Sequence, residues 1–303
     1  MRLGVVGQAF SPPEVVMHIK AMACELPSEQ GVPLSRFSHA ELARQAVARG
    51  LTAAISGTTV WRWLSADAIR PWSFRSWIFP RDPEFAAKAG RVLDLYQGLW
   101  DGIPLSPKDY VLSADEKTSI QARCRVAPGC PPAPGRLRRV EHEYERQGAV
   151  AYIAAWDVRR AKVFGLCRPT TGIEAWQALV DHVMHQEPYT SADRVFWITD
   201  NGSSHRGHGA AVRLAGWYKN ACLVNTPVHA SWLNQIEIYF SVVQRKVLMP
   251  NECLNIQSLE NRLLQFQTYY ETIAKPFEWK FTRQDLERTL DKIQQSAEQL
   301  RVA

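Results

Sequence analysis

The sequence predicts an α/β fold, a mixed five-stranded sheet flanked by helices, preceded by an all-helical N-terminal domain. Three observations carry that expectation. Up to about residue 100 the apolar residues recur at helical spacing between side chains that cap helix ends. From Tyr110 onward, five short apolar runs alternate with helical stretches, the pattern of layered sheet-and-helix folds. Two of those runs finish on an acid, Asp115 and Asp200, at the strand edge where ligands gather in open α/β sheets.

Taken in order, Ser38-His39-Ala40-Glu41 is a capping box, with Ser at the N-cap and Glu three residues on. It opens a helix that Gly50 closes in the left-handed conformation. Ser56 caps a second helix, on which Val60 and Leu64 share a face. Helix, glycine-containing turn and helix form a helix-turn-helix candidate over 38–67, although an ordinary helical hairpin has the same pattern. Thr58, Thr59 and Arg62 would then face outward on the second helix, where a recognition helix meets base edges. The following segment, from Arg70 through Arg75 to Arg81, alternates cations with aromatics. It reads either as an arm along a phosphate backbone or as aromatics packed on the helices. A helix over 83–100 leads to Gly102, Pro104 and Pro107, and this linker chemistry predicts domains at 1–105 and 106–303.

In the second region, strands are expected at 110–115, 150–156, 162–166, 194–200 and 221–224, with a Pro/Gly/Arg-rich loop at 127–139. Helices are expected at 171–186, 206–219, 232–247, 256–272 and 283–300. On the 232–247 helix, Trp232, Ile236, Phe240, Val243 and Val247 form the stripe that docks on the sheet, and Asn234, Glu237, Ser241 and Gln244 form a separate polar stripe.

The balance of 36 Lys plus Arg against 30 Asp plus Glu gives +6, and 26 of the cations are arginine. Arginine's planar fork suits phosphates and base edges, so nucleic acid is the partner this bias favours. With 46% hydrophobic and 22% charged residues, wholesale disorder is excluded. No apolar run approaches the roughly 18 residues of a spanning helix, so no membrane partner is expected. Six cysteines without a Cys-x-x-Cys pair, and a start lacking an apolar leader, fit a reducing, cytoplasmic setting.

Asp115, Asp200 and Glu237 converging on one sheet edge would suit Mg²⁺ or Mn²⁺, hard cations that prefer oxygen ligands. Two such ions support in-line phosphoryl displacement. His205 and His208 lack the further close-spaced ligands that zinc requires.

At these residues the chain resembles a known group. Ser113-Ala114-Asp115-Glu116-Lys117, Thr199-Asp200-Asn201-Gly202-Ser203-Ser204-His205 and the run from Thr226 to Glu237 look like the three catalytic motifs of DDE transposases. They are most similar to those of the bacterial insertion sequence 630 family, related to the mariner transposases. The resemblance spans about 30–290. It implies a ribonuclease H-like core, Mg²⁺-dependent cleavage at transposon ends and strand transfer into target DNA. Asp115, Asp200 and Glu237 become the catalytic, metal-binding triad, with Glu116 a neighbour. Arg136, Arg138 and Arg139 become candidates for holding DNA. The implied partners are terminal-repeat and target DNA, bound by a homodimer in a bacterial, nucleoid-associated setting. Relatives carry two helix-turn-helix units, and the first 30 residues do not read as the second, which suggests a short member or a truncated start. Two alternatives remain: a domesticated or truncated descendant that binds DNA without strand transfer, and a nuclease that cuts without joining.

Overall fold

The computed structural model describes residues 12–74 and 80–302, which divide into two units, Met1–Ile78 and Phe79–Ala303. The first unit is built on α1 (Pro13–Ala23), α2 (His39–Ala48) and α3 (Gly57–Ala66). The capping box forms as its residues dictate. Glu41 N–H donates to Ser38 Oγ at 3.2 Å, and Ser38 N–H donates to Glu41 Oε2 at 2.7 Å. Ser56 Oγ likewise accepts from Thr59 N–H at 3.1 Å, and Gly50 turns the chain at φ 71°. Val60 and Leu64 are fully buried with Ile19, Phe37, Leu42 and Ala46. The hairpin is thus part of a three-helix unit. Helix α1 has no clear signal in the sequence, because its N-cap is Pro12, which offers no side-chain hydrogen bond to mark a start.

The boundary expected at 105 is displaced to 78/79. Helix α4 (Phe85–Gln97) belongs to the second unit, and its Ala89, Val92 and Leu93 are fully buried in the same cluster as the sheet residues Val111 and Trp156. The Gly102–Pro104 chemistry is a hairpin turn instead of a linker. It joins β1 (Leu99–Trp100) to β2 (Ile103–Pro104), with Asp101 at φ 48° and Gly102 at φ 78°, the positive angles of a tight two-residue connection.

The main sheet has five strands: β3 (Asp109–Arg125), β4 (Tyr144–Asp157), β5 (Lys162–Arg168), β6 (Arg194–Thr199) and β7 (Ala221–Asn225). Their order is β5-β4-β3-β6-β7. β3, β4 and β5 are antiparallel, while β6 and β7 run parallel to β3. Helices α5 (Ile173–Met184) and α6 (Gly207–Trp217) pack on one face, with Trp176 and Trp197 in edge contact at 5.5 Å. Helices α4, α7 (Ile236–Lys246), α8 (Ile256–Glu271) and α9 (Arg283–Val302) cover the other. This is the mixed, helix-flanked sheet of the ribonuclease H-like class. No helix among the described residues is long and apolar enough to cross a membrane.

Two local features differ from expectation. Asp115 lies in the middle of β3, because that strand continues for ten residues past it through a bulge between Lys117 and Ile120. Trp232 is 46% exposed and does not belong to the docked stripe. It sits in a short 3₁₀ turn, Ser231–Leu233, and α7 begins only at Ile236, so the helical period does not extend back to it.

Candidate active site

Backbone register sets the first two acids level with each other. The parallel ladder pairs Ser113 with Ile198, so two residues further on stand Asp115, still in β3, and Asp200, just past the end of β6. Carboxylate oxygens of Asp115 and Asp200 and a ring nitrogen of His205 all lie within 4.8 Å of one another. Glu237 lies outside this close set. It occupies the first turn of α7 and is exposed. Desolvation raises its carboxyl, Lys117 acts against the rise and Asp200 adds to it.

Side chains alternate across β3, so Asp115 and Glu116 leave the strand on opposite faces. Asp115 looks toward α7, where Asn234 Nδ2 stands 3.5 Å from its Oδ2. The same Nδ2 donates to Ala114 O at 2.9 Å, and Ser113 Oγ donates to Asn234 Oδ1. Ile236 N–H in turn donates to Ser113 Oγ at 2.9 Å. These bonds staple the start of α7, and with it Glu237, to the strand that bears Asp115. Tyr96 adds a second fastening by donating to Leu233 O at 2.6 Å.

Glu116 turns to the α5/α6 face. Its carboxylate accepts from Ser204 Oγ at 3.0 Å and faces Nε2 of fully buried His205 at 3.3 Å. His205 Nδ1 donates to Asp200 O at 3.1 Å. Gly202 lets this loop close, since a Cβ there would stand 2.8 Å from the imidazole. Asn225, at the end of β7, donates to Asp200 O at 3.1 Å and His205 O at 2.9 Å and fixes the loop to the sheet.

These surroundings separate the acids electrically. Burial, followed by the Asp200 charge, pushes the Asp115 carboxyl up to about 8. Burial alone would raise Glu116 too, but the hydrogen bond and charge of His205 bring it below the usual range. Burial acts to lower His205, and Glu116 outweighs it, so the imidazole is raised. With Nδ1 donating and Nε2 engaged by Glu116, His205 is a partner for carboxylates and not a free ligand. The remaining donors are hard oxygens, Asp115 and Asp200 with Glu237 nearby. Such a set fits Mg²⁺ or Mn²⁺, and crowded acids are the environment a divalent cation relieves. His208 is exposed and takes no part.

Among the other expected residues, Thr58 and Arg62 are exposed on α3, and Thr59 is half-buried with its hydroxyl against Ser56 Oγ at 2.9 Å. Arg70 is exposed. Trp72 lies against the helices, edge-on to His39 at 5.9 Å, so at this position the aromatic packs inward. Arg75 lies outside the described residues. Arg136, Arg138 and Arg139 are all exposed, in a turn closed by bridges Cys130–Arg139 and Ala133–Arg136, and Arg138 stands 3.7 Å from Glu252. Sequence reasoning missed the structural parts of Glu116, Asn234 and Asn225. The adjacent Asp115-Glu116 pair was the available signal, since a strand must send neighbours to opposite faces.

The fold is of the ribonuclease H-like class, with acids grouped beside the ends of β3's pairing with β6. Among solved structures, the chain is similar to the Mos1 mariner paired-end complex with Mn over 89% of this chain and 74% of that one, at 13% identity and a TM-score of 0.54. A pre-cleavage Mos1 transpososome is similar over 95% and 82%, at 14% identity and a TM-score of 0.53. The Mos1 paired-end complex with Mg is similar over 95% and 82%, at 14% identity and a TM-score of 0.54. These likenesses establish the shared fold. No curated protein matches the chain. Residues 111–260 match the family described as DDE superfamily endonuclease.

Proposed function

We propose that this protein is a DNA transposase that cleaves DNA at transposon ends and joins the freed strand to target DNA. The observation that carries the reading is the close pair Asp115, on β3, and Asp200, directly after the parallel neighbour β6, within the stretch that matches the DDE superfamily endonuclease family. Asp115, Asp200 and Glu237 would hold Mg²⁺ or Mn²⁺. Two bound ions supply activation of an attacking oxygen and charge stabilisation of a leaving oxygen in an in-line displacement. The chain's own groups prepare this site. Asn234 and Ser113 fix where Asp115 and Glu237 stand, and the Glu116–His205 pair holds the loop carrying Asp200. Water attacks the end phosphodiester, and the released 3′-hydroxyl then attacks a target phosphate.

On this reading the helical N-terminal unit recognises the terminal repeat through Thr58, Thr59 and Arg62 on α3. Arg70 and Arg75 add contacts to phosphate, and Arg136, Arg138 and Arg139 hold DNA beside the catalytic domain. The Mos1 structures are paired-end complexes, and their likeness supports a homodimer working on two double-stranded ends. The insertion sequence 630 assignment rests on the three motifs at 113–117, 199–205 and 226–237.

The test supplies purified protein with labelled DNA bearing the inverted repeats that flank its gene, Mg²⁺ and a supercoiled target. Joined product supports the transposase. Cutting without joining marks a nuclease, and retention of DNA with neither product marks a binding protein. Asp200→Ala is expected to abolish cleavage and leave DNA retention intact; undiminished cleavage would remove the triad assignment.

A further inference from the structure

Beyond the carboxylates, β3 and β4 continue as a long antiparallel pair whose outer part carries arginines on both strands. Two hollows lie along it. The nearer has a volume of about 450 Å³ and is lined by Lys117, Arg123 and Arg146, with no acid among its lining residues. Lys117 also lies within electrostatic reach of Glu237, and it is two residues from Asp115 along β3, so this hollow lies next to the carboxylates. The farther hollow, of about 810 Å³, presents Arg125, Arg138, Lys246 and Arg262 against one acid, Glu252. Met249 lines both, so the two hollows adjoin and are treated together as one groove.

The groove has a fixed floor and an adaptable rim. Arg125 donates to the carbonyls of Glu141 at 2.7 Å, His142 at 3.2 Å and Asn251 at 3.3 Å. Its guanidinium and that of Arg123 both lie over the Tyr144 ring, at 5.2 and 4.6 Å from the centroid. The 251–253 segment is pinned along β3, with Asn251 Nδ2 donating to Gln121 O at 2.6 Å and Cys253 N–H to Arg123 O at 2.9 Å. Arg123 Nε and Arg125 Nε are buried without a hydrogen-bond partner among the described residues. On the rim, Arg138, Arg146, Lys246 and Arg262 are exposed. The ion pair there, Arg138 with Glu252 at 3.7 Å, is half-exposed and readily exchanged.

We infer that this groove binds the phosphate backbone of a DNA segment and leads it to the carboxylate site. Seven cations face one acid along a path that starts beside Glu237, and arginine forks match phosphate oxygens two at a time. Fixed floor arginines set the register of the strand, while the rim lysine and arginines supply charge that adapts to it. The inference rests on the reading that DNA is the substrate, and it adds the route by which a strand reaches the acids.

The experiment measures binding of the full-length protein to a labelled nonspecific duplex by fluorescence anisotropy, with metal chelated, across a salt series. The variant Arg138→Ala/Lys246→Ala/Arg262→Ala removes three rim cations. Its log–log salt slope is expected to fall by about 2.7, on the order of 0.9 for each phosphate left without its cation, with at least about tenfold weaker binding at low salt. The charge-keeping variant Arg138→Lys/Lys246→Arg/Arg262→Lys is expected to retain the wild-type slope. All three residues lie on the rim, and an unchanged melting temperature checks the fold; the single variant Lys246→Glu moves in the same direction. A wild type that binds DNA while the alanine variant keeps its slope overturns the groove alone, including the case in which the groove serves an acidic protein segment. A wild type that binds no duplex overturns the groove and the transposase reading together.

Discussion

Asp115 and Glu116 are neighbours in the chain with opposite electrical fates, and the strand's alternation is the reason. Asp115 faces the α7 side beside Asp200, where burial and like charge push its carboxyl up to about 8. In metal-free buffer the folded protein therefore holds a proton there that the unfolded chain releases at about pH 4. Stability falls as pH rises from about 4 toward 8 and levels off above, because over that window the folded state binds more protons than the unfolded one. Asp115→Asn is expected to abolish cleavage yet raise the metal-free melting temperature, with a larger gain at pH 8 than at pH 5, measured by calorimetry. An equal change at both pH values would show that the Asp115 carboxyl is not raised. Added Mg²⁺ should narrow the difference by stabilising the wild type only. The identity of these acids was legible in the sequence from their place after apolar runs. The work of Glu116 was not, since its partner His205 is 89 positions away and meets it only through the sheet.

At the scale of elements, β3 shows what local pattern could and could not reveal. The polar run Lys117-Thr118-Ser119 reads as the end of a strand, whereas it is a bulge with Ser119 at φ 54° inside a longer one. Pairing with β4, which is remote in sequence, supplies the hydrogen bonds that carry β3 across the interruption. Two fastenings of this sheet can be tested. Gly165 on β5 lies under the Tyr152 ring, whose nearest carbons would stand 2.5 and 2.6 Å from an added Cβ. Tyr152 cannot retreat freely, because its hydroxyl lies 3.1 Å from that of Tyr239 and donates to Gln267 at 3.0 Å. Gly165→Ala should cost about 1–3 kcal/mol in urea unfolding; a neutral effect would mean that the ring moves aside.

The second fastening is Asp109 with Arg194, which joins the starts of β3 and β6 with bonds of 3.0 and 2.7 Å. The arginine hydrogen bond holds the buried Asp109 carboxyl below its usual range, against the opposing pull of burial. Its contribution is complete above the unfolded carboxyl's value of about 4 and is lost as pH falls through the lower folded value. Urea midpoints should therefore separate wild type from Asp109→Asn at pH 7 and bring them together near pH 2.

Across the whole molecule, the chain divides where its cores divide. Chemistry at Gly102, Pro104 and Pro107 suggests a linker, but α4 buries Ala89, Val92 and Leu93 with the sheet, and the unit boundary falls before it. The N-terminal unit holds its own core, sealed by α1 against α2 and α3. Arg62 is exposed on α3 and has no part in that core. Under the transposase reading, Arg62→Ala should weaken binding to the cognate repeat by about 1–3 kcal/mol and blur discrimination among bases, while the melting temperature holds. Equal losses on cognate and random duplex would instead make Arg62 a phosphate contact.

The sequence by itself determined the capped helices α2 and α3, the alternation of strands and helices after Tyr110, and the neighbouring pair Asp115 and Asp200. Each of these depends on side chains within one turn or one strand of each other, or on motifs contiguous in the chain. Tertiary structure alone decided the length of β3, the unit to which α4 belongs, the exposure of Trp232 and the pairing of Glu116 with His205. It also gathered the basic groove from β3, β4, the 127–139 loop, α7 and α8. Those features depend on which surfaces meet across the sheet, and burial and register couple residues that no local period connects.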